Sequence, residues 1–145
     1  MQLKGLADAA QRTADIEALL GIEGSAARVY FEQFTGMLKV DDDASRPVFD
    51  FSGRNRRPPR DPINALLSLG YSLLACDLII VCHVVGFASF MGFYHQPRFG
   101  RPALALDLME GFRPIVADSA VLTAINGRMV KPEDFVQAGA AVALS

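Results

Sequence analysis

GFYHQPRFGRPALALDLMEGFRP, residues Gly92 to Pro114, is the stretch whose reading decides how this chain folds. It places one histidine, two carboxylates and three arginines in 23 residues, between two apolar segments. Gly92, Pro97, Gly100 and Pro102 punctuate Met91 to Arg101 as an irregular connection. Pro102 suits the first turn of a helix, where its missing N–H is not needed. From Ala103 the run ALALDLMEGF is dominated by helix formers. Asp107 and Glu110 stand three apart and therefore share a helical face. Their neighbours Leu104, Leu108 and Met109, with Leu106 at the edge, are apolar. Two carboxylates on such a stripe are costly to bury unless a cation meets them, either an arginine or a metal ion.

The chain outside this stretch sets the bounds. At 145 residues it is one domain's worth, long enough for a sizeable core. Hydrophobic residues make up 51% and charged residues 21%, a globular rather than a disordered composition. The formal net charge of −2 argues weakly against nucleic acid, but the charge is uneven. Arg54, Arg56, Arg57 and Arg60 fall within seven residues, whereas Asp41, Asp42 and Asp43 are consecutive. A local basic patch can hold phosphate whatever the total. Cys76 and Cys82, six apart in a helical segment, point to different faces and read as free thiols of a reducing cytoplasm. The N-terminus has scattered charges and no apolar core of a signal peptide. Ile63 to Phe93 has the length of a membrane span. It nevertheless carries Asn64, Asp77 and His83, and an aspartate near mid-span costs about 2.5–3.5 kcal/mol. We read it as a buried central helix, or two helices broken near Gly86, with no membrane partner.

Leu3 to Leu20 reads as one helix or two, with Thr13 or Asp15 as the cap between them. Gly21 breaks the pattern, and Ser25 to Leu38 resumes helical spacing, which puts Glu23 at a helix start. Lys39 to Arg60 is a loop region with a short apolar run, Val48 to Phe51. Asp61 followed by Pro62 is a helix start with its cap and its first-turn proline. The central helix then runs from Ile63 to about His83, with Leu73 and Val81 among its packed residues, and Val84 to Phe93 is its continuation or a short second helix. Ile115 to Ile125 is helical and ends at Asn126-Gly127. Lys131 to Val136 is a turn or short helix, and Ala138 to Ser145 a strand or helix start with no evident partner. The arginine cluster before Asp61 is either a solvated loop or a phosphate contact. Arginine rather than lysine favours the second.

Glu23, His95, Asp107 and Glu110 are polar residues in apolar contexts, although no short spacing ties Glu23 to the others. One histidine with two or three carboxylates is a poor zinc site and a reasonable one for Mg²⁺ or Mn²⁺. Such an ion assists phosphoryl transfer, and an arginine cluster would hold the polyanion.

Three blocks, EGSAARVYF (23–31), RNRRPPRDPINALLSLGYSLL (54–74) and GFYHQPRFGRPALALDLMEGFRP (92–114), resemble the CRISPR-associated spacer integrase family, in the family's order. The resemblance implies a mainly α fold over residues 1–145, the helical C-terminal catalytic domain, without the family's N-terminal β domain and its last helices. It implies a metal-dependent DNA endonuclease and integrase that inserts spacers into a CRISPR array by transesterification, in the prokaryotic cytoplasm. By the same resemblance the metal ligands fall on Glu23, His95 and Glu110, with Asp107 as an outer-shell or second-metal acid and the ion Mg²⁺ or Mn²⁺. Arg54, Arg56, Arg57, Arg60, Arg98 and Arg101 become candidates for the DNA backbone, and Tyr94 and Asn64 for shaping the pocket. The implied partners are prespacer and repeat DNA, a second copy of the chain, and a small ferredoxin-like adaptation subunit. The alternative is a DNA-binding and interaction lobe without catalysis.

Overall fold

In the computed structural model, residues 2–39, 49–55, 57–96 and 98–145 are described. Asp41, Asp42, Asp43, Val48, Arg56 and Pro97 lie outside them. The fold is mainly α, as expected from the sequence, and the described residues include one small hairpin. The chain divides into two compact units.

The first unit carries α1 (Gln2–Arg12), α2 (Ile16–Glu32), a 3-10 turn (Phe34–Met37) and Phe51–Arg54. Asp15 caps α2, its carboxylate accepting from the N–H groups of Glu17 (3.4 Å) and Ala18 (3.1 Å), so the break falls where the sequence placed it. The expected break at Gly21 does not occur. α2 runs through Gly21 and Gly24, and Glu23 sits in mid-helix, away from the N-terminal dipole. Each glycine costs about 1 kcal/mol relative to alanine, and the helix continues through both. The helix then stops at Glu32, short of the expected Leu38. Its end is held by an aromatic cluster: Phe34, fully buried, lies 5.4 Å from Phe51 and 6.0 Å from Tyr30 between ring centroids. Such pairs add about 0.5–1.5 kcal/mol beyond their burial.

The second unit is built on α3 (Pro62–Val85), against which pack α4 (Ala103–Phe112), a π-turn (Arg113–Asp118), α5 (Ser119–Asn126) and the second strand of the hairpin. Asp61 caps α3 through Asn64 N–H at 2.8 Å with Pro62 in its first turn. α3 ends at Gly86, whose φ of 89° is the left-handed conformation a helix C-terminus favours. Phe87 N–H reaches back to the Cys82 carbonyl at 2.7 Å, so residues 87–93 do not continue the helix.

Burial along α3 is uneven: Ile63 to Leu67 and Cys82 are buried, whereas Leu73 and Val81, expected to face neighbours, are 58% and 52% exposed. Cys76 is exposed, and both cysteines are free. By length and composition alone α3 is apolar enough to cross a membrane, a test that core helices also pass.

From α4 to α5 the helical path is continuous but widened. Pro114 lacks an N–H and its ring crowds the carbonyl of Glu110, four residues back, so the ladder opens to π spacing there. The widened segment packs closely on α3, an ideal Cβ on Gly70 lying 3.5 Å from Ala117 Cβ. The tail that lacked an evident partner is an antiparallel hairpin, β1 (Phe135–Ala138) with β2 (Ala141–Leu144), Phe135 opposite Leu144. Val142 N–H donates to the Pro59 carbonyl at 2.8 Å, tying the hairpin to the segment that precedes α3.

Candidate metal and DNA site

The connection from Gly86 to Pro102 is stitched to the start of α4. Ser89 offers its carbonyl to Leu104 N–H at 3.0 Å, satisfying a donor that a helix start leaves open. One turn further along, Asp107 grips the rest of the loop. Its Oδ2 accepts the N–H groups of Phe93 (2.7 Å) and Tyr94 (3.0 Å). Its Oδ1 accepts His95 N–H (2.8 Å) and His95 Nδ1 (2.6 Å). The side chain is fully buried. Burial alone would raise its pKa, but the Tyr94 N–H, the His95 imidazole and the His95 and Phe93 N–H groups together hold it below the usual 3.8.

An imidazole that donates from Nδ1 to a carboxylate keeps its lone pair on Nε2. That nitrogen lies 3.9 Å from Glu110 Oε1, three residues further along the same face of α4 as Asp107. The second oxygen, Oε2, accepts from Arg113 Nη1 at 2.7 Å. The Arg113 guanidinium carbon stands 5.2 Å from the centroid of the Tyr71 ring, and the Tyr71 hydroxyl donates to buried Asp118 at 2.7 Å.

His95, Asp107 and Glu110 are thus brought together. Glu23 lies half-buried on α2 in the other unit. Among the described residues, no three histidine, cysteine or acidic side chains converge as a ready cation cage. What the second unit supplies is a pair of donors, and the pair fits a hard divalent ion. An imidazole and a carboxylate 3.9 Å apart can both reach one ion with bonds of about 2.0–2.2 Å. The carboxylate behind the imidazole is the usual support of a histidine ligand.

The candidate arginines differ in exposure. Arg57, Arg60 and Arg98 are exposed, Arg101 and Arg54 half-buried, and Arg54 belongs to the first unit. The segment before α3 is fixed by Asn64, which is fully buried. Its Oδ1 accepts Asn55 N–H at 2.9 Å and its Nδ2 donates to Asp61 at 2.6 Å. Asn55 in turn accepts Arg60 N–H at 3.0 Å. Asn64 therefore braces the arginine-bearing loop, whereas Tyr94 adjoins His95 with its ring edge-on at 5.5 Å. Two residues of the site escaped the sequence reading. Arg113 could have been found, since it stands three residues from Glu110 on the same face. Gly92 could not: a Cβ there would come within 2.7 Å of Ala103 Cβ and 2.9 Å of Asp107 Oδ2, a contact made only in the fold.

The family model of CRISPR associated protein Cas1 matches residues 1–145. A Cas4 exonuclease/Cas1 endonuclease fusion from Geobacter sulfurreducens is 53% identical over 88% of this chain and 23% of its own length. A CRISPR-associated endonuclease Cas1 from Thermus thermophilus is 49% identical over 87% of this chain and 36% of its own. Among solved structures, a Cas1 protein from Thermotoga maritima superposes with a TM-score of 0.85 at 28% identity, covering 98% of this chain and 44% of that one. A casposase bound to an integration product matches with a TM-score of 0.79 at 30% identity, over 92% and 37% of the two chains. The chain belongs to the CRISPR-associated Cas1 family. It spans about a quarter to a third of the length of these two curated relatives.

Proposed function

We propose that this chain carries the metal-dependent active site of a CRISPR integrase and DNA endonuclease of the prokaryotic cytoplasm. The observation that carries the reading is the pair formed by His95 Nε2 and Glu110 Oε1, 3.9 Å apart, with Asp107 fixing the imidazole from behind. His95 and Glu110 would hold Mg²⁺ or Mn²⁺. Glu23 is the third ligand, a role supported by the family's glutamate block rather than by geometry. When bound, the ion would lower the pKa of an attacking hydroxyl and offset charge on the phosphate.

The reaction is transesterification. The 3′-hydroxyl oxygen of an incoming strand forms a bond to phosphorus at the repeat boundary as the phosphorus–O3′ bond of the repeat strand breaks. The hydroxyl proton ends on the departing 3′-oxygen. Asp107 touches His95 and the loop rather than the reacting atoms, so it is a positioning residue. Arg54, Arg56, Arg57, Arg60, Arg98 and Arg101 would hold backbone phosphates. The solved relatives include a Cas6-RT-Cas1–Cas2 complex and a casposase bound to an integration product, which supports DNA and a Cas2 subunit as partners; a second copy and a ferredoxin-like fold for the small subunit rest on the family resemblance alone.

The test is cleavage of branched DNA with Mn²⁺. Glu23→Ala and His95→Ala should each lower it by about 100-fold or more, with DNA affinity kept and chelator abolishing it. A chain that binds DNA yet never cleaves it is a non-catalytic binding lobe.

A further inference from the structure

The two oxygens of Glu110 are assigned to different partners. Arg113 Nη1 takes Oε2 at 2.7 Å, and Oε1 is the oxygen that faces His95 Nε2. The guanidinium is not free to swing away. It rests on the Tyr71 ring at 5.2 Å, and that ring is anchored through its hydroxyl to Asp118, which is 2% exposed. Arg113 is the first residue of the widened π-turn. We propose that Arg113 is a metal-selectivity residue: by holding Oε2 it makes Glu110 a one-oxygen ligand and disfavours Ca²⁺ against Mn²⁺ and Mg²⁺.

The reason is coordination number. Ca²⁺ collects 6–8 oxygens at about 2.3–2.6 Å and commonly takes both oxygens of a carboxylate. Mg²⁺ keeps an octahedron at about 2.0–2.1 Å and uses one oxygen from each carboxylate. A carboxylate with one oxygen already bound to a guanidinium suits the second pattern and not the first. Arginine does this well because its planar fork stays charged and stacks on an aromatic face while it donates. Its charge also repels any cation, but it repels two divalent ions alike. The ratio of their affinities therefore isolates the geometric effect.

This inference rests on the reading that His95 and Glu110 hold the ion, and the test separates the two. Mn²⁺ binding to the chain is followed by the loss of the free-ion electron paramagnetic resonance signal, and Ca²⁺ by its competition with Mn²⁺. Arg113→Met is expected to narrow the preference for Mn²⁺ over Ca²⁺ by about tenfold. Arg113→Lys keeps the charge but not the planar fork that stacks on Tyr71, so its preference should fall between those of the parent and of Arg113→Met. Near-ultraviolet circular dichroism checks folding. If Arg113→Met does not fold, Tyr71→Leu, which removes the ring beneath the guanidinium, should narrow the preference in the same direction. An unchanged preference in the folded variant, with Glu110→Ala losing Mn²⁺, overturns the selectivity role and leaves the metal site standing. Glu110→Ala binding Mn²⁺ like the parent overturns both.

Discussion

Asp107 and His95 are joined twice, because Oδ1 of the carboxylate accepts both the histidine backbone N–H at 2.8 Å and its imidazole Nδ1 at 2.6 Å. With Phe93 and Tyr94 donating to Oδ2, one buried carboxylate fixes three consecutive backbone groups and a side chain. The loop is therefore placed from α4, and the direction of His95 Nε2 follows from that placement.

Asp107→Asn keeps the shape and removes the charge. An amide has one accepting oxygen, so two of the four donors would face its NH₂ group instead. Hydrogen bonds to charged groups are worth about 1.5–3 kcal/mol each, so we expect a loss of about 3 kcal/mol in urea unfolding. Mn²⁺ affinity should fall about 10- to 100-fold, as for other residues that orient a metal ligand. An unchanged urea midpoint would show that the carboxylate does not organise the loop.

The depressed pKa of Asp107 gives stability a pH dependence of known sign. Between its folded value and the usual 3.8 the folded chain binds fewer protons than the unfolded chain, so stability rises with pH across that window. The contribution is fully present above about pH 4–5 and is lost as pH falls through the depressed value. Acid unfolding followed by circular dichroism should show a steeper loss for the parent than for Asp107→Asn. Parallel curves would mean the carboxylate gains nothing from its four donors.

Much of this was legible in the sequence where local chemistry decides structure. The Asp61-Pro62 start, the Asp15 cap, the loop through Gly92–Gly100 and the paired acids of α4 each follow from residues within one turn of one another. The sequence points to breaks at both Gly21 and Gly86, and only the one at Gly86 exists. Gly21 and Gly24 lie inside α2, while Gly86 ends α3, and the difference is set by the 89° φ at Gly86 and the carbonyls it caps. Neither is visible in composition. The exposed face of α3 was likewise illegible, since an apolar run of that length looks buried whatever covers it. Arg113 and Gly92 matter through contacts that exist only once α4 has met the loop.

Gly92→Ala tests that meeting. The added Cβ would fall 2.9 Å from the Ala103 backbone carbon and 2.9 Å from Asp107 Oδ2, and neither can retreat without moving α4 or the clamp. Overpacking of this kind costs about 1–3 kcal/mol. We expect a urea midpoint lowered accordingly and a Mn²⁺ affinity reduced together with it. A variant as stable as the parent with full Mn²⁺ affinity would show that the loop has room to spare.

Asn64→Ala should act on the arginine loop. It removes the acceptor of Asn55 N–H and a partner of Asp61, at a fully buried position. Leaving such groups unpaired costs about 1–3 kcal/mol. The segment holding Arg57 and Arg60 then loses its brace, so DNA affinity should fall although no cation has been removed. Thermal unfolding and fluorescence anisotropy on the same preparation check the two effects, and intact DNA affinity in a destabilised variant would separate the brace from the binding surface.

The arginines themselves are tested by salt. Arg57, Arg60 and Arg98 are exposed, and a side chain that neutralises a phosphate releases a condensed counterion when DNA binds. Each such contact contributes about 0.9 to the slope of log affinity against log salt on duplex DNA. Arg57→Ala, Arg60→Ala and Arg98→Ala should therefore each flatten the slope by about one and weaken binding alike across sequences. Arg101 is a sharper case, because its backbone N–H closes a turn on the Arg98 carbonyl at 3.0 Å and its side chain is half-buried. If Arg101 contacts phosphate, Arg101→Ala flattens the slope. If it only shapes the turn, affinity falls while the slope stays that of the parent.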